Sequence, residues 1–185
     1  MSDDAKATAQ RALLLSPAEP AEVGSGLGSG RIERRLASFM ALDIKNYSVM
    51  ISRDEAGAHV RVGKDLAAVV RQIHKYGGHV LSFAGDGLLA EFRSAQTTLR
   101  SALAIQSGAV KRNRRRSTDE QIDYRIGINS GQIVVQSGRV GGDTINIAAR
   151  LEQIAEPGGI CISATVHSQV PGPSRPPIPT WAPHA

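Results

Sequence analysis

The chain has 185 residues, of which 41% are hydrophobic and 21% charged, a balance typical of a globular protein with one domain of ordinary size. The single cysteine, Cys161, excludes an internal disulfide framework and a multi-cysteine zinc site, and it indicates a reducing, cytoplasmic setting. No stretch approaches the roughly 18 apolar residues that a membrane helix needs. Asp3 and Asp4 stand where a signal peptide would carry positive charge. We therefore expect neither a membrane segment nor a secreted disulfide-rich fold.

The two ends of the chain differ in composition from its middle. Residues 1–30 lack a sustained hydrophobic period and end in a run of glycine and serine, which predicts a flexible N-terminal tail. Six prolines fall within residues 171–185 and predict a disordered, proline-rich C-terminal tail. The predicted folded domain is therefore residues 31–170.

Short apolar runs alternate with longer periodic ones inside this domain. Strands are predicted over Leu36–Ile44, His79–Phe83, Leu88–Phe92, Tyr124–Ile128, Gln132–Val135 and Gly159–Ser163, with hairpin turns at Gly85-Asp86-Gly87 and around Ser130-Gly131. Helices are predicted over Asp54–Tyr76, Ser94–Asn113 and Thr144–Ala155. The order β-α-β-β-α-β-β-α-β predicts an α/β (α+β) sandwich with a ferredoxin-like core, in which helices cover one face of a mixed sheet.

Two acidic residues are notable for their positions. Asp43 interrupts the end of a buried apolar strand, where a lone charge is unfavourable, and Asp86 lies between two glycines at a hairpin tip. A hairpin beside the first strand can bring both carboxylates to one edge of the sheet, an arrangement suited to hard divalent cations that bridge a polyphosphate. From spacing alone, the alternative of a turn-forming Asp86 and a strand-end Asp43 stays open.

A third motif lies on the last predicted helix. Asn146 and Arg150 are four residues apart and share a helix face, so they can hold a ribose oxygen and a phosphate. The alternative is a solvated helix face on which Arg150 pairs with a surface carboxylate.

Several segments, RRLASFMALDIKNYS, GGHVLSFAGDGLLAEF, YRIGINSGQIVV, GGDTINIAARLE and AEPGGICIS, occur in an order that resembles the catalytic domain of class III nucleotide cyclases, in particular the bacterial adenylate and guanylate cyclases. The resemblance covers about residues 31–170. It implies a metal-dependent cyclase that converts ATP, or alternatively GTP, to the 3′,5′-cyclic nucleotide and pyrophosphate. It also implies a homodimer in which the metal aspartates and the Asn/Arg pair of each site come from opposite subunits.

The same resemblance implies a role for each motif. The implied residues are Asp43, Asp86 and the Ile44 carbonyl for two Mg²⁺ or Mn²⁺ ions, the backbone of Asn46, Tyr47 and Ser48 for the substrate phosphates, Asn146 for the ribose, and Arg150 for the charge of the transition state.

The residues implied to read the base depart from the family pattern. Ser82, counted back from Gly85, stands where adenine-reading relatives have lysine, and Arg139 stands where they have aspartate. Because arginine only donates hydrogen bonds, Arg139 cannot accept one from the adenine amino group, but it can donate to guanine O6. GTP is therefore an alternative to ATP, and contact of Arg139 with a phosphate or with solvent also stays open.

A second departure follows Val170. Family members continue into a strand pair that supplies a phosphate-binding lysine, whereas this sequence turns to prolines and has no lysine after Lys111. We therefore expect part of the sheet and one triphosphate contact to be missing. Two hypotheses follow: an active cyclase, or a catalytically impaired cyclase-like module that binds nucleotide or dimerises with a partner cyclase chain.

The basic run from Lys111 to Arg116 lies at the end of the second predicted helix. It has no interleaved aromatic residues, and basic side chains at a helix C-terminus complement the helix dipole. We therefore expect no nucleic-acid partner. Cys161 lies in an apolar strand and is predicted to be an inert core residue.

Overall fold

The central strand of the sheet, β1 (Glu33–Ile44), has hydrophobic side chains on both of its faces. Phe39 and Ala41 lie on one face and Met40 and Leu42 on the other, and all four are buried. The computed structural model describes residues 33–136, 139–141 and 143–170, so the predicted tails over 1–30 and 171–185 lie outside the described residues. A strand of this kind must be covered on both sides, and this requirement determines the layers of the fold.

The described elements alternate in the predicted manner. After β1 they are α1 (Tyr47–Arg53), α2 (Glu55–Lys75), β2 (His79–Ala84), β3 (Gly87–Phe92), α3 (Ala95–Asn113), a 3₁₀ turn (Thr118–Glu120), β4 (Tyr124–Gln136), β5 (Arg139–Gly141), α4 (Asp143–Ile154), β6 (Ile160–Ile162) and α5 (Ala164–Gln169). The strand order is β2-β3-β1-β4-β5, with β6 parallel to β4 and the other pairs antiparallel. The predicted α/β sandwich with a ferredoxin-like core is confirmed.

The three long helices begin and end within one residue of their predicted positions, because their end signals are local. The Asp54 side chain accepts a hydrogen bond from the Gly57 amide at 2.9 Å at the start of α2, and Gly77, with a φ of 74°, follows its end. Ser94 caps α3 in the same way through the Thr97 amide at 3.3 Å. The two short helices α1 and α5 were not predicted.

The prediction of two strands that meet around Ser130-Gly131 is wrong. Tyr124–Ile128 and Gln132–Val135 belong to the single strand β4, which pairs with β1 without interruption from Tyr124 to Val135. Gly131 marks close packing instead of a turn, because a Cβ atom there would lie 2.8 Å from Oγ1 of Thr144 in α4. A glycine required by a neighbouring helix and a glycine required by a turn have the same sequence signature.

The sequence predicts that the helices cover one face of the sheet. The structure instead places α4 on the face opposite to α2 and α3. The larger core joins Met40 and Leu42 of β1 to α2 and α3, whereas Phe39 and Ala41 pack with Ala148 of α4 on the opposite face. The long helices α2 and α3 therefore follow the prediction, and α4 departs from it because β1 is apolar on both faces.

A charged group lies inside the larger core. Asp65 of α2 is 1% exposed, and its carboxylate ion-pairs with Arg112 (Nε–Oδ2, 3.0 Å) and Arg116 (Nη2–Oδ1, 2.7 Å). The Tyr124 hydroxyl also donates to Asp65 at 3.3 Å, and burial raises the pKa of Tyr124. Two arginines of the basic run therefore stabilise the packing of α2, α3 and β4.

Two smaller features complete the fold. Cys161 is a free thiol in β6 that is half-buried, and burial raises its pKa. Across the described ranges, none of the helices combines the length and the apolar character that crossing a bilayer requires.

Candidate active site

The structure places Asp43 and Asp86 together at one end of the sheet. Asp43 is the last but one residue of β1, and Asp86 follows Gly85 in the turn between β2 and β3. Gly85 has a φ of 62°, a backbone conformation that glycine adopts readily. The turn reaches β1 because Leu88 of β3 pairs with Leu42. Burial raises the pKa of Asp86, and the charge and hydrogen bonding of Asp43 raise it further. The two carboxylates therefore share one site.

A guanidinium and a third carboxylate, both missed by the sequence analysis, complete this cluster. Arg125 of β4 lies opposite Asp43 in the strand register and donates a short hydrogen bond from Nη2 to Oδ2 of Asp43. Its Nε lies 3.3 Å from Oε1 of Glu152, which projects from α4. Burial and the charge of Asp43 raise the pKa of Glu152, while Arg125 opposes this shift. The site therefore holds three carboxylates around one guanidinium.

The oxygen atoms present fit a hard divalent cation. Within the described ranges no set of three or more His, Cys, Asp or Glu side chains is arranged to hold a metal, and Asp43 and Asp86 form a pair of neighbouring carboxylates at this end of the sheet. Magnesium is commonly bound by one or two carboxylates together with substrate phosphates. The mutual repulsion that raises the pKa of Asp86 is relieved by a cation between the two carboxylates. The donor set is thus suited to a cation that arrives with a polyphosphate.

Helix α4 presents Asn146 and Arg150 to solvent, away from its packed face. Both residues are exposed, and neither side chain makes a hydrogen bond or ion pair with any other residue that the structure describes. The inner face of α4 carries Thr144 and Ala148, which are buried against β4. The alternative in which Arg150 pairs with a surface carboxylate is not seen among these residues, so the two side chains are available to a ligand or to a second chain.

The residues predicted to contact the metal and the phosphates through their backbones lie around the same end of the sheet. The Lys45-Asn46 turn directly follows β1, with Asn46 in the left-handed region at a φ of 61°, and α1 begins at Tyr47. Ser48 is exposed in α1, and Ile44 is buried at the end of β1. A cleft of about 370 Å³ lies beside this turn, between α1 and residues 118–123, but neither Asp43 nor Asp86 lines it.

The structure describes the side chain of one candidate base-reading residue, Ser82, but only the backbone of the other, Arg139. Ser82 of β2 pairs with Leu89, which pairs with Ala41, so Ser82 lies on the same face of the sheet as Asp43 and is exposed. The backbone of Arg139 lies in β5, beside Gln136 of β4, while its side chain lies outside the described residues. The sheet thus carries these two positions on strands at opposite sides of β1.

Comparison with known proteins defines the class of protein to which this fold and site belong. Residues 35–172 match the family model of the adenylate and guanylate cyclase catalytic domain. The chain therefore belongs to this family, and it is a cyclase catalytic domain.

Individual relatives agree with this assignment. A structure described as an adenylate/guanylate cyclase/hydrolase from Silicibacter pomeroyi is 42% identical, with a TM-score of 0.64, and the match covers 74% of this chain and 79% of that one. The Rhizobium meliloti protein named "Putative adenylate cyclase 3" is 38% identical over 144 residues, 76% of this chain and 24% of that protein. The adenylyl cyclase CyaB of P. aeruginosa has the same fold, with a TM-score of 0.65 at 23% identity, over 75% of this chain and 82% of that one. The chain spans about a quarter of the length of the curated relatives it matches.

Proposed function

We propose that this chain is the catalytic domain of a metal-dependent purine nucleotide cyclase that converts ATP or GTP to the 3′,5′-cyclic nucleotide and pyrophosphate and works as a homodimer. The observation that carries the proposal is the shared site of Asp43 and Asp86 at the end of β1. Membership of the cyclase family supports the reaction type.

In the proposed reaction the ribose 3′-oxygen attacks the α-phosphorus of the same nucleotide. The bond from the α-phosphorus to its bridging oxygen breaks, pyrophosphate leaves, and the hydroxyl proton passes to solvent. Two Mg²⁺ or Mn²⁺ ions bound by Asp43, Asp86 and the Ile44 carbonyl would supply a lowered pKa for the hydroxyl and positive charge for the triphosphate. The protein's own contribution is positioning and electrostatic stabilisation.

The other site residues act on the nucleotide directly. The amide of Asn146 orients the ribose, and the Arg150 guanidinium donates charge-assisted hydrogen bonds to the α-phosphate oxygens as negative charge develops there. The backbone of Asn46, Tyr47 and Ser48 contacts the outer phosphates. The exposure of Asn146 and Arg150 on the outer face of α4 supports their use in the site of a second, head-to-tail chain.

The choice of base depends on Ser82, Gly85 and Arg139. In this proposal Ser82 replaces the lysine that adenine-reading relatives use, and Arg139 can donate to guanine O6. Both features reduce selectivity for ATP, so the two nucleotides must be compared side by side.

The test incubates purified protein with ATP or GTP and Mg²⁺ or Mn²⁺ and detects the cyclic nucleotide by chromatography. We expect product from the wild type and loss of about 100-fold or more in Asp43→Asn and in Arg150→Ala. Asp119→Asn is the matched control, because Asp119 is exposed and, among the residues described by the structure, ion-pairs with Arg53 alone, at 2.9 Å.

The outcomes separate the hypotheses. Retained turnover in Asp43→Asn or Arg150→Ala would show that the substituted residue does not belong to the catalytic site. No product with either nucleotide, from a folded dimer, would replace the proposal by the non-catalytic cyclase-like module.

A further inference from the structure

An ionic chain links helix α4 to the candidate metal site of the same subunit. Glu152 contacts Arg125 at 3.3 Å, and Arg125 donates to Asp43. The side chain of Glu152 is only 12% exposed, that of Asp43 24% and that of Arg125 31%. These ionic contacts are therefore screened less than contacts on an open surface.

The backbone around this chain is held tightly. A Cβ atom at Gly127 of β4 would lie 2.2 Å from the backbone nitrogen of Glu152 and 2.2 Å from the carbonyl oxygen of Ala148. Arg125 lies two residues before Gly127, on the same face of the sheet. The separation of the two backbones is therefore fixed by close packing, and the adjustable parts are the side chains of Arg125 and Glu152.

Two atoms in this series of ionic contacts lack a hydrogen-bond partner. Nε of Arg125 and Oε1 of Glu152 are buried, and neither has a hydrogen-bond partner among the described residues, although they lie 3.3 Å apart. The guanidinium is oriented toward Asp43 and meets Glu152 at an angle unsuited to a hydrogen bond. A rotation of Arg125 away from Asp43 would allow it to satisfy Glu152.

We propose that Glu152 is a positioning residue that provides Arg125 with an alternative partner when a divalent cation binds Asp43, so that cation binding is transmitted to helix α4. The proposal rests on the proposed function, because it takes Asp43 as a metal ligand. Without Glu152, Arg125 keeps its hydrogen bond to Asp43 and competes with the cation for that carboxylate.

This chain of contacts has a consequence for a dimer. Helix α4 carries Asn146 and Arg150 on its outer face and Glu152 on its inner face. In the head-to-tail dimer proposed above, the outer residues serve the site of the second chain. A cation at one site then affects the helix that completes the other site, which couples the two sites.

The first experiment measures Mn²⁺ binding to the 185-residue chain without nucleotide, by calorimetry. We expect Glu152→Gln to lower the Mn²⁺ affinity roughly tenfold, the lower end of the effect of removing a residue that supports a metal ligand. Glu156→Gln is the control: it removes the same charge, and Glu156 is exposed beyond the end of α4. Thermal unfolding of each variant verifies that the fold is intact.

A double-mutant cycle separates this role from a simple charge effect. In an Arg125→Gln background, Glu152→Gln leaves the Mn²⁺ affinity unchanged if Glu152 acts through Arg125. The same tenfold loss in that background would show that Glu152 acts through space and would overturn the proposal. Equal affinity of Glu152→Gln and wild type would also overturn it.

Hydrogen–deuterium exchange tests the transmission to α4. Saturating Mn²⁺ is expected to change amide exchange within Asp143–Ile154 in the wild type but not in Glu152→Gln. An identical response in both proteins, or none in the wild type, contradicts the coupling while leaving the metal site intact. Absence of Mn²⁺ binding by the wild type would overturn this inference alone, because the proposed metal site is tested separately by the loss of turnover in Asp43→Asn.

Discussion

Gly127 of β4 lies so close to Ala148 of α4 that a Cβ atom at position 127 would stand 2.2 Å from the Ala148 carbonyl oxygen. The neighbouring atoms belong to the helix backbone and cannot rotate away. Gly127 therefore sets the distance between the sheet and the helix that carries Asn146, Arg150 and Glu152.

We expect Gly127→Ala to lower the free energy of unfolding by about 1–3 kcal/mol, because the helix must move away from β4. Urea denaturation measures the change. Gly63→Ala is the matched control: a Cβ at Gly63 in α2 meets nothing within 4 Å, so this change is expected to be neutral or stabilising by up to about 1 kcal/mol. Equal effects of the two substitutions would show that the contact at Gly127 does not hold α4.

Asp65→Asn removes the charge that two arginines share inside the larger core. We expect a loss of about 2 kcal/mol in the free energy of unfolding, less than for a fully enclosed ion pair because Arg112 and Arg116 are 29% and 17% exposed. Asp119→Asn breaks the exposed pair with Arg53 and should change stability by less than about 0.5 kcal/mol. If Asp65→Asn left the free energy of unfolding unchanged, the network of Asp65 with the two arginines would contribute nothing to stability.

The pH dependence of stability follows from the same carboxylate. Burial alone would raise the pKa of Asp65, but hydrogen bonds from Arg116 and the charge of Arg112 outweigh it, so the pKa lies below the ordinary value of 3.8. A carboxyl with a lowered folded-state pKa stabilises the fold fully above its unfolded-state pKa, and this stabilisation is lost as the pH falls through the folded-state pKa.

The difference in free energy of unfolding between wild type and Asp65→Asn should therefore be constant near about pH 6 and shrink below about pH 4. Denaturation curves at several pH values provide the measurement. A difference that stays the same down to the acid limit would exclude Asp65 as the titrating group.

Mixing two inactive variants tests whether each site is shared between chains. If Asp43→Asn and Arg150→Ala act in opposite halves of one site, mixed dimers have one intact site. At equal concentrations, roughly a quarter of the wild-type sites should be restored, because half of the dimers are mixed and each has one of its two sites intact. Cyclic nucleotide formation after mixing reports this recovery, and each variant alone serves as the control. Absence of recovery, with dimers demonstrated by light scattering, would place both residues in the same half-site.

The sequence predicted the elements whose end signals are local. Asp54 and Ser94 mark the starts of α2 and α3, Gly77 marks the end of α2, and alternating glycines around Asp86 mark the hairpin. Family resemblance predicted the class of protein, which the match over residues 35–172 confirms.

Features that depend on distant neighbours were not predicted. Gly131 was interpreted as a turn residue because its actual partner, Thr144, is remote in the sequence. Asp65 lies between the hydrophobic residues of α2 and has no signal that distinguishes a buried ion pair from a surface charge. Arg125 and Glu152 were missed for the same reason: each is unremarkable until strand register and helix packing bring them together.

The position of each strand in the sheet determines how freely it can change over evolutionary time. β1 lies between β3 and β4, so its course, and with it Asp43, is constrained from both sides. Among the strands that the structure describes, β2 pairs with β3 alone, and it already tolerates an irregularity between Val80 and Ser82. Substitutions near Ser82 therefore disturb few neighbours, and sequence drift there is compatible with an unchanged carboxylate pair. Under the proposed role of Ser82, lineages built on this sheet can diversify in the base they recognise while the carboxylate pair at the end of β1 stays the same.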